Sequence, residues 1–168
     1  MVCGSGRWLA ANNGRMTGRT SSWRSFLAFL ATLREILHWI ALDKNAVAQQ
    51  VVDAAFRVHT SLGPGLLESV YEAALAYELE KRGLSVARQQ GIPVIYEEVR
   101  IHAGFFADLV VEDQAIVEIK AVENVAPVHK KQLLTYLKLA DKRLGLLLNF
   151  NVVLIKNGIT RIVNGLKE

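Results

Sequence analysis

The sequence contains a single cysteine, Cys3, among its 168 residues. One cysteine cannot form a disulfide within the chain, and it cannot build a zinc site from several thiolates. Proteins of reducing compartments typically use cysteine this sparingly. The N-terminus also lacks the compact basic region, apolar core and small-residue cleavage site of a secretory signal. The sequence therefore predicts a cytoplasmic protein.

Long uninterrupted apolar runs are also lacking in the N-terminal part of the chain. Residues 23–42 are its most apolar stretch, but Arg24, Arg34, Glu35 and His38 interrupt it. A helix that spans a bilayer needs about 20 consecutive, mostly apolar residues, so we expect no membrane span. The chain has 51% hydrophobic residues and no internal repeat or linker. Its length and apolar content therefore predict one domain with a substantial hydrophobic core.

Acidic residues are nearly missing from residues 1–42, where Glu35 stands against five arginines. This segment supplies the whole formal net charge of +4, because removing five of 20 basic and one of 16 acidic residues leaves 15 of each. We predict that residues 1–42 are an N-terminal extension, disordered at first and then an amphipathic helix over residues 23–42. Two interpretations stay open: a targeting or membrane-surface segment, or an upstream extension or partner-docking helix.

Beyond residue 42 the spacing of apolar residues predicts a mixture of helices and strands. The predicted helices cover residues 43–62, 66–82 and 127–142, and the predicted strands cover residues 94–96, 99–111, 115–122 and 144–150. Asn157-Gly158 predicts a C-terminal β-hairpin with arms at residues 152–156 and 159–163. This order of elements indicates that residues 43–168 form one layered α/β domain.

Two opposite charges interrupt the apolar strand at residues 115–122. Alternation along a strand places Glu118 and Lys120 on one face, and a tight turn at residues 112–113 brings Asp108 close to Val117 and Glu118. Two neighbouring carboxylates suit Mg²⁺ or Mn²⁺, with the carbonyl of Ile119 as a further ligand and Lys120 polarising the attacking water. The alternative is an edge-strand charge at Asp108 and an ordinary ion pair between Glu118 and Lys120.

Two predicted helices add polar residues to this candidate site. Glu68 lies near the start of the second helix, and Gln132 and Tyr136 share one face of the third. Each has a simpler explanation, because Glu68 suits a helix N-terminus and Gln132 and Tyr136 suit a solvent-exposed pair.

Basic side chains that could contact phosphate form a second candidate set. A solvated surface or compensation of a helix dipole explains them equally well. The set consists of Arg88, Arg100, Lys130, Lys131 and Lys138.

With these motifs, the sequence resembles the bacterial GxxExxY proteins of the PD-(D/E)XK nuclease superfamily. The resemblance covers about residues 42–163 and leaves out residues 1–41. It rests on G-x-x-E-x-x-Y at residues 65–71, A-D-L at 107–109, E-I-K-A at 118–121, A-P-V-H at 126–129, Q-L-L-T-Y at 132–136 and L-L-L-N-F at 146–150.

The resemblance implies a restriction-endonuclease-like core, with a central mixed sheet of about four strands flanked by helices. It also implies that Asp108 and Glu118 bind the metal, that Lys120 is the catalytic lysine and that Glu68 assists the metal site. Gln132 and Tyr136 match a Q-x-x-x-Y motif that orients the active site or the nucleic acid. Residues 105–106 depart from the family pattern, since Phe-Phe stands where a Tyr and a basic residue are expected.

The resulting functional hypothesis is a Mg²⁺- or Mn²⁺-dependent nuclease that acts on DNA or RNA. The alternative is a non-catalytic nucleic-acid-binding or accessory module on the same fold. Nucleic acid is the expected partner in both cases, and short chains of this superfamily often act as a homodimer or within a larger complex.

Overall fold

A computed structural model describes residues 29–30 and 43–165 of the chain. The elements of residues 43–165 are α1 (Lys44–Leu62), α2 (Glu68–Lys81), β1 (Val86–Tyr96), β2 (Val99–Val111), β3 (Ala115–Lys120), α3 (Pro127–Leu139), β4 (Leu144–Asn149) and β5 (Ile159–Val163). A short 3-10 helix, Ile155–Asn157, precedes β5. The predictions for residues 1–42 lie outside the described residues except at positions 29 and 30.

The five strands form one sheet in the order β1-β2-β3-β4-β5. β3 and β4 run parallel, and the other neighbouring strands are antiparallel. Two parallel neighbours require a crossover connection, which α3 provides. The predicted fold class, an α/β domain with a mixed sheet flanked by helices, is confirmed, although the sheet has five strands rather than about four.

Each face of the sheet carries its own hydrophobic core. On one face α1 and α2 pack against side chains such as Val117 and Ile119 of β3. On the other face Leu133 and Leu137 of α3 pack against Ile116. β3 and β4 are thus covered on both sides, which explains their nearly continuous apolar sequence. A charged residue in β3 must therefore lie close to one of the two cores.

The predicted C-terminal hairpin is wrong in its first arm. Residues 152–154 form bends, residues 155–157 form the 3-10 helix, and β5 pairs directly with β4. Gly158 does not form a left-handed turn, since its φ is −93°. A Cβ atom at Gly158 would collide with the carbonyl oxygen of Asn149, so this glycine is required by close backbone approach.

The first predicted strand is too short. β1 begins at Val86 rather than at Val94, because it pairs with β2 over almost its whole length. Its first half contains Arg88, Gln89 and Gln90, whose polarity hides the strand pattern from an analysis of apolar spacing.

Tyr71 ties the loop between α1 and α2 to the core. Its hydroxyl donates to the carbonyl of Gly63 at 2.7 Å and accepts from the amide of Leu66 at 3.1 Å. Its ring stacks on Phe150, with ring centroids 4.4 Å apart and planes 9° apart. The loop glycines Gly63 and Gly65 have φ values of 69° and 99°, which other residues rarely adopt. Tyr71 therefore fixes where α2 begins.

Among residues 29–30 and 43–165, no helix combines the length and the apolar character needed to cross a membrane.

Replacing Tyr71 with Phe should lower the free energy of unfolding by roughly 1–2 kcal/mol, because two partly buried backbone groups lose a partner while the stacked ring stays. Urea unfolding monitored by circular dichroism measures the change. The control is Tyr77→Phe, on the exposed side of the same helix, which should have little effect. Equal stability of the two variants would contradict the assigned role of the Tyr71 hydroxyl.

Candidate active site

The hairpin of β2 and β3 sets the position of the two predicted metal-binding acids. Leu109 pairs with Val117 and Val110 with Ile116, the register expected from the sequence. The turn residues Glu112 and Asp113 both have left-handed backbones, with φ values of 53° and 51°. Residues 108 and 118 lie one position beyond the last of these pairs, and the charge of Asp108 is close enough to help raise the pKa of Glu118.

Asp108 ends the ladder between β2 and β3. Its Oδ2 accepts the amide hydrogen of Ile119 at 2.8 Å, a position that a strand carbonyl would otherwise fill. Beyond this point Glu118, Ile119 and Lys120 pair with β4. The side chain of Asp108 thus makes the next contact between β2 and β3 after their paired residues, and its carboxylate lies at the end of β3.

Glu118 and Lys120 form an ion pair at the same end of β3. The Oε1 of Glu118 lies 2.7 Å from Nζ of Lys120, and their side chains are only 10% and 16% exposed. The second carboxylate oxygen of Glu118, Oε2, is buried and has no hydrogen-bond partner among the described residues. A buried carboxylate oxygen without a donor is costly, which distinguishes this pair from a surface ion pair.

Burial changes the ionisation of the two acids. It raises the pKa of Asp108, and the nearby charge of Glu72 adds to this effect, against the hydrogen bonds from Ile119 and Gln89 and the charge of Lys120. Burial likewise raises the pKa of Glu118, with the charges of Asp108 and Glu68 adding to it. Both carboxylates are therefore less stable in the charged form than exposed ones would be.

Lys120 responds in the opposite way. Burial alone would lower its pKa, but the hydrogen bond and charge of Glu118, with the charges of Glu68 and Asp108, raise it above the ordinary value. The ammonium group is thus held in its charged form at neutral pH, between acids that need a cation.

Glu68 reaches the end of β3 from the first turn of α2. Its Oε1 accepts the amide hydrogen of Ala121 at 3.1 Å. Its charge acts on both Glu118 and Lys120. The structure therefore brings Glu68 to the predicted site, where it does more than complement its helix terminus.

Tyr136 approaches from α3, on the other side of the sheet. Its ring stacks on Phe105, with centroids 3.5 Å apart and planes 7° apart. Burial, followed by the charge of Glu118, raises its pKa, so the phenol stays protonated. Phe105, one of the two departures from the family pattern, thus orients the tyrosine ring.

Gln132 lies one turn before Tyr136 on α3 and is exposed. Its side chain makes no hydrogen bond with the described residues, whereas Tyr136 is held by Phe105. Its predicted role stays a prediction.

The predicted basic residues do not converge on one place. The Nε of Arg88 lies 2.9 Å from Oε1 of Glu72, next to Gln89 and Asp108. Arg100 is eight residues before Asp108 on β2, which is roughly 26 Å along a strand. Lys130, Lys131 and Lys138 are exposed on α3. Arg88 is thus the member of the set whose contacts lie at the acidic site.

Two buried polar residues of the site were not predicted from the sequence. Glu72 is 6% exposed on α2, one turn after Glu68. Its position on the same side of the helix as Tyr71 and Leu75 could have indicated from the sequence that Glu72 is buried. Asn149 is 2% exposed at the end of β4 and bonds both the amide and the carbonyl of Val122. It fixes the chain that leaves β3 after Lys120.

A model of the PD-(D/E)XK nuclease superfamily matches residues 45–162. The chain belongs to this superfamily. Neither the search of curated proteins nor the search of solved structures returns a match. The match runs from the second residue of α1 to the fourth residue of β5, so it includes every element that contributes to the site.

Nucleases of the PD-(D/E)XK superfamily generally use divalent metal ions. The described residues hold no cluster of three or more His, Cys, Asp or Glu side chains that could bind an ion. Mg²⁺ needs only one or two carboxylates together with carbonyl and water oxygens. The unpartnered Oε2 of Glu118 and the half-buried carboxylate of Asp108 are the atoms that a cation would contact.

Replacing Asp108 with Asn should stabilise the protein at pH 7 in the presence of a chelator. The raised pKa means that the folded state binds the Asp108 proton more tightly than the unfolded state, so stability falls as the pH rises through the folded-state pKa. A neutral amide escapes this loss, and its oxygen can still accept from the Ile119 amide, although its NH₂ group gives up the longer hydrogen bond from Gln89. The gain should vanish below about pH 3.9, where the unfolded carboxyl is also protonated.

Melting temperatures of both proteins between pH 3 and pH 8 measure this difference. Asp53→Asn, at an exposed position of α1, is the matched control and should follow the wild type throughout. A lower melting temperature for Asp108→Asn at pH 7 would contradict the inferred cost of the buried charge.

Proposed function

We propose that the protein is a Mg²⁺- or Mn²⁺-dependent nuclease that hydrolyses phosphodiester bonds in DNA or RNA. The observation that carries the proposal is the unpartnered Oε2 of Glu118, which is buried beside Asp108 and Lys120. Membership of the PD-(D/E)XK superfamily and the GxxExxY-like motifs support the same conclusion.

Asp108, Glu118 and the carbonyl of Ile119 are the proposed metal ligands. A bound divalent cation would supply Lewis-acid polarisation and neutralise charge that develops on the phosphate. The carboxylate of Asp108 is already oriented by the Ile119 amide, and Glu118 is oriented by Lys120. The ligands are therefore held in place by bonds that leave Oε2 of Glu118 available.

Lys120 is the proposed catalytic residue that contacts the attacking water. Its raised pKa keeps it as an ammonium group, which donates hydrogen bonds and cannot act as a base at neutral pH. It would thus orient the water and stabilise negative charge at the phosphate. Glu68 would help to hold Lys120 and the end of β3 in position.

Tyr136 and Gln132 are proposed to contact the phosphate or the adjacent nucleotide. The raised pKa of Tyr136 leaves its hydroxyl as a hydrogen-bond donor. Gln132 shares this face of α3, and its exposed amide can reach a ligand without breaking a bond described in the structure.

Nucleic acid is the proposed partner. Arg88 lies nearest to the acids, and Lys131 and Lys138 share one stripe of α3, seven residues apart. Lys130 and Arg100 would contact phosphates farther along an extended strand. A homodimer or larger complex and a cytoplasmic location stay predictions.

Asp108→Ala and Lys120→Ala should each reduce metal-dependent cleavage by at least about 100-fold, because each removes a group needed at the phosphate. The assay uses labelled single-stranded and double-stranded DNA and RNA with Mg²⁺ or Mn²⁺. Asp53→Ala and Lys81→Ala, at exposed positions of α1 and α2, are matched controls that should keep wild-type activity. Circular dichroism checks that all variants fold.

A wild-type protein that binds nucleic acid but leaves every substrate intact would overturn the nuclease proposal. That outcome would favour the non-catalytic binding module instead.

Lys131→Ala and Lys138→Ala should each weaken nucleic-acid binding and reduce the slope of log K against log salt by about one unit. Fluorescence anisotropy at 50–300 mM salt measures the slope, with Ca²⁺ in place of Mg²⁺. Lys44→Ala, at the start of α1, is the control. Unchanged slopes for both α3 variants would place the nucleic acid elsewhere on the surface.

A further inference from the structure

Glu72 is buried and fully engaged by the strand that follows its helix. Its Oε1 accepts from Nε of Arg88 at 2.9 Å, and its Oε2 accepts from Nε2 of Gln89 at 2.6 Å. Each oxygen of Glu72 is thus held by a side chain of β1, whereas Oε2 of Glu118 has no donor among the described residues.

Gln89 joins Glu72 to the candidate metal ligand Asp108. A glutamine amide has two N–H donors. The Nε2 of Gln89 donates one to Oε2 of Glu72 and the other to Oδ1 of Asp108, at 3.3 Å. The Ile119 amide holds the other oxygen of Asp108. One neutral side chain thus separates two carboxylates and orients the second.

The backbone of Gln89 is distorted to make this contact. Its φ is 46°, a left-handed value inside a β-strand. Successive strand residues normally point to opposite faces, yet Arg88 and Gln89 both reach Glu72. Gln89 is also exposed, so core packing does not impose the distortion. Backbone strain of this kind persists where the surrounding contacts demand it, and it concentrates at functional sites.

The partner strand is distorted at the same cross-strand position. β1 and β2 pair through Arg88 with Leu109 and through Gln90 with Ala107, and Gln89 and Asp108 occupy the position between them. Ala107 packs in the core beneath α3, whereas Leu109 packs in the core beneath α1 and α2. The alternation of β2 therefore also breaks at Asp108. The two distortions coincide at the pair that includes the metal ligand.

We propose that Gln89 and Glu72 are positioning residues: Glu72 holds the amide of Gln89, and Gln89 fixes the carboxylate of Asp108 for a divalent cation. This inference rests on the proposed metal-dependent function. Groups that orient metal ligands typically contribute roughly 10- to 100-fold in metal affinity or activity.

Gln89→Met removes both donors and keeps the size of the side chain, and it should weaken Mn²⁺ binding roughly 10-fold or more. Electron paramagnetic resonance of free Mn²⁺ measures the Kd on the full chain. The control is Gln90→Met, the next residue of β1. Cleavage by Gln89→Met should need more Mn²⁺ for half-maximal activity, with the KM for nucleic acid unchanged.

Glu72→Leu should weaken Mn²⁺ binding in the same direction, because it releases the Gln89 amide while the half-exposed Arg88 can be hydrated. The double variant Glu72→Leu/Gln89→Met should bind Mn²⁺ no more weakly than the weaker single variant, since both act on one contact. If the fold-changes in Mn²⁺ Kd of the two single variants multiply in the double variant, the two residues act independently and the proposed link between them is wrong.

The wild type and Asp108→Ala separate this inference from the proposed function. A wild type without Mn²⁺ binding or cleavage would overturn the proposed function and the inference with it. If the wild type binds Mn²⁺, Asp108→Ala does not, and Gln89→Met binds as the wild type does, only the inference fails. A purely structural role would lower the melting temperature of Gln89→Met and leave its Mn²⁺ Kd unchanged, which would also overturn it.

Discussion

The hydrogen bond from the Ile119 amide to Asp108 is the contact on which the arrangement of the site depends. A side-chain carboxylate takes the place of a strand carbonyl there, so the β2–β3 ladder stops while β3 continues along β4. The pairing of β2 with β3 thus ends just before Glu118 and Lys120, which continue along β4. The same bond orients the carboxylate of Asp108 beside these two residues.

Helices on both faces of the sheet contribute residues that act on the charges at the end of β3. α2 contributes Glu68 and Glu72 on one face, and α3 contributes Tyr136 on the other. Burial raises the pKa of both Asp108 and Glu118, so the site costs stability in the absence of a cation. Lys120 offsets part of this cost but bonds only one oxygen of Glu118. Such a compromise is expected where a site is built for a ligand rather than for folding.

Most of the fold was predictable because apolar spacing reflects which face of each element is buried. The pairing of Leu109 with Val117, which brings Asp108 near Glu118, was within the range expected from the turn between β2 and β3. The predicted hairpin arm at residues 152–156 does not form, because a turn-like sequence can have a different structural cause. Asn157-Gly158 has the sequence of a turn, but Gly158 is needed because the backbone of Asn149 approaches it closely. A sequence does not distinguish these two reasons for a glycine.

The site residues divide in a similar way. Asp108, Glu118, Lys120 and Glu68 were predictable because charges on apolar elements are conspicuous, and the structure brings them together. Gln89 was not predictable, because a polar residue within a polar stretch of strand does not stand out in the sequence. Its left-handed backbone is seen only in the structure.

Crystals of the protein soaked in Mn²⁺ test whether Asp108 and Glu118 bind a divalent cation together. An anomalous difference map should show a peak about 2.0–2.4 Å from a carboxylate oxygen of each acid and near the carbonyl of Ile119. A map without a peak at these oxygens, from folded protein soaked at a saturating Mn²⁺ concentration, would show that Asp108 and Glu118 do not bind the ion together.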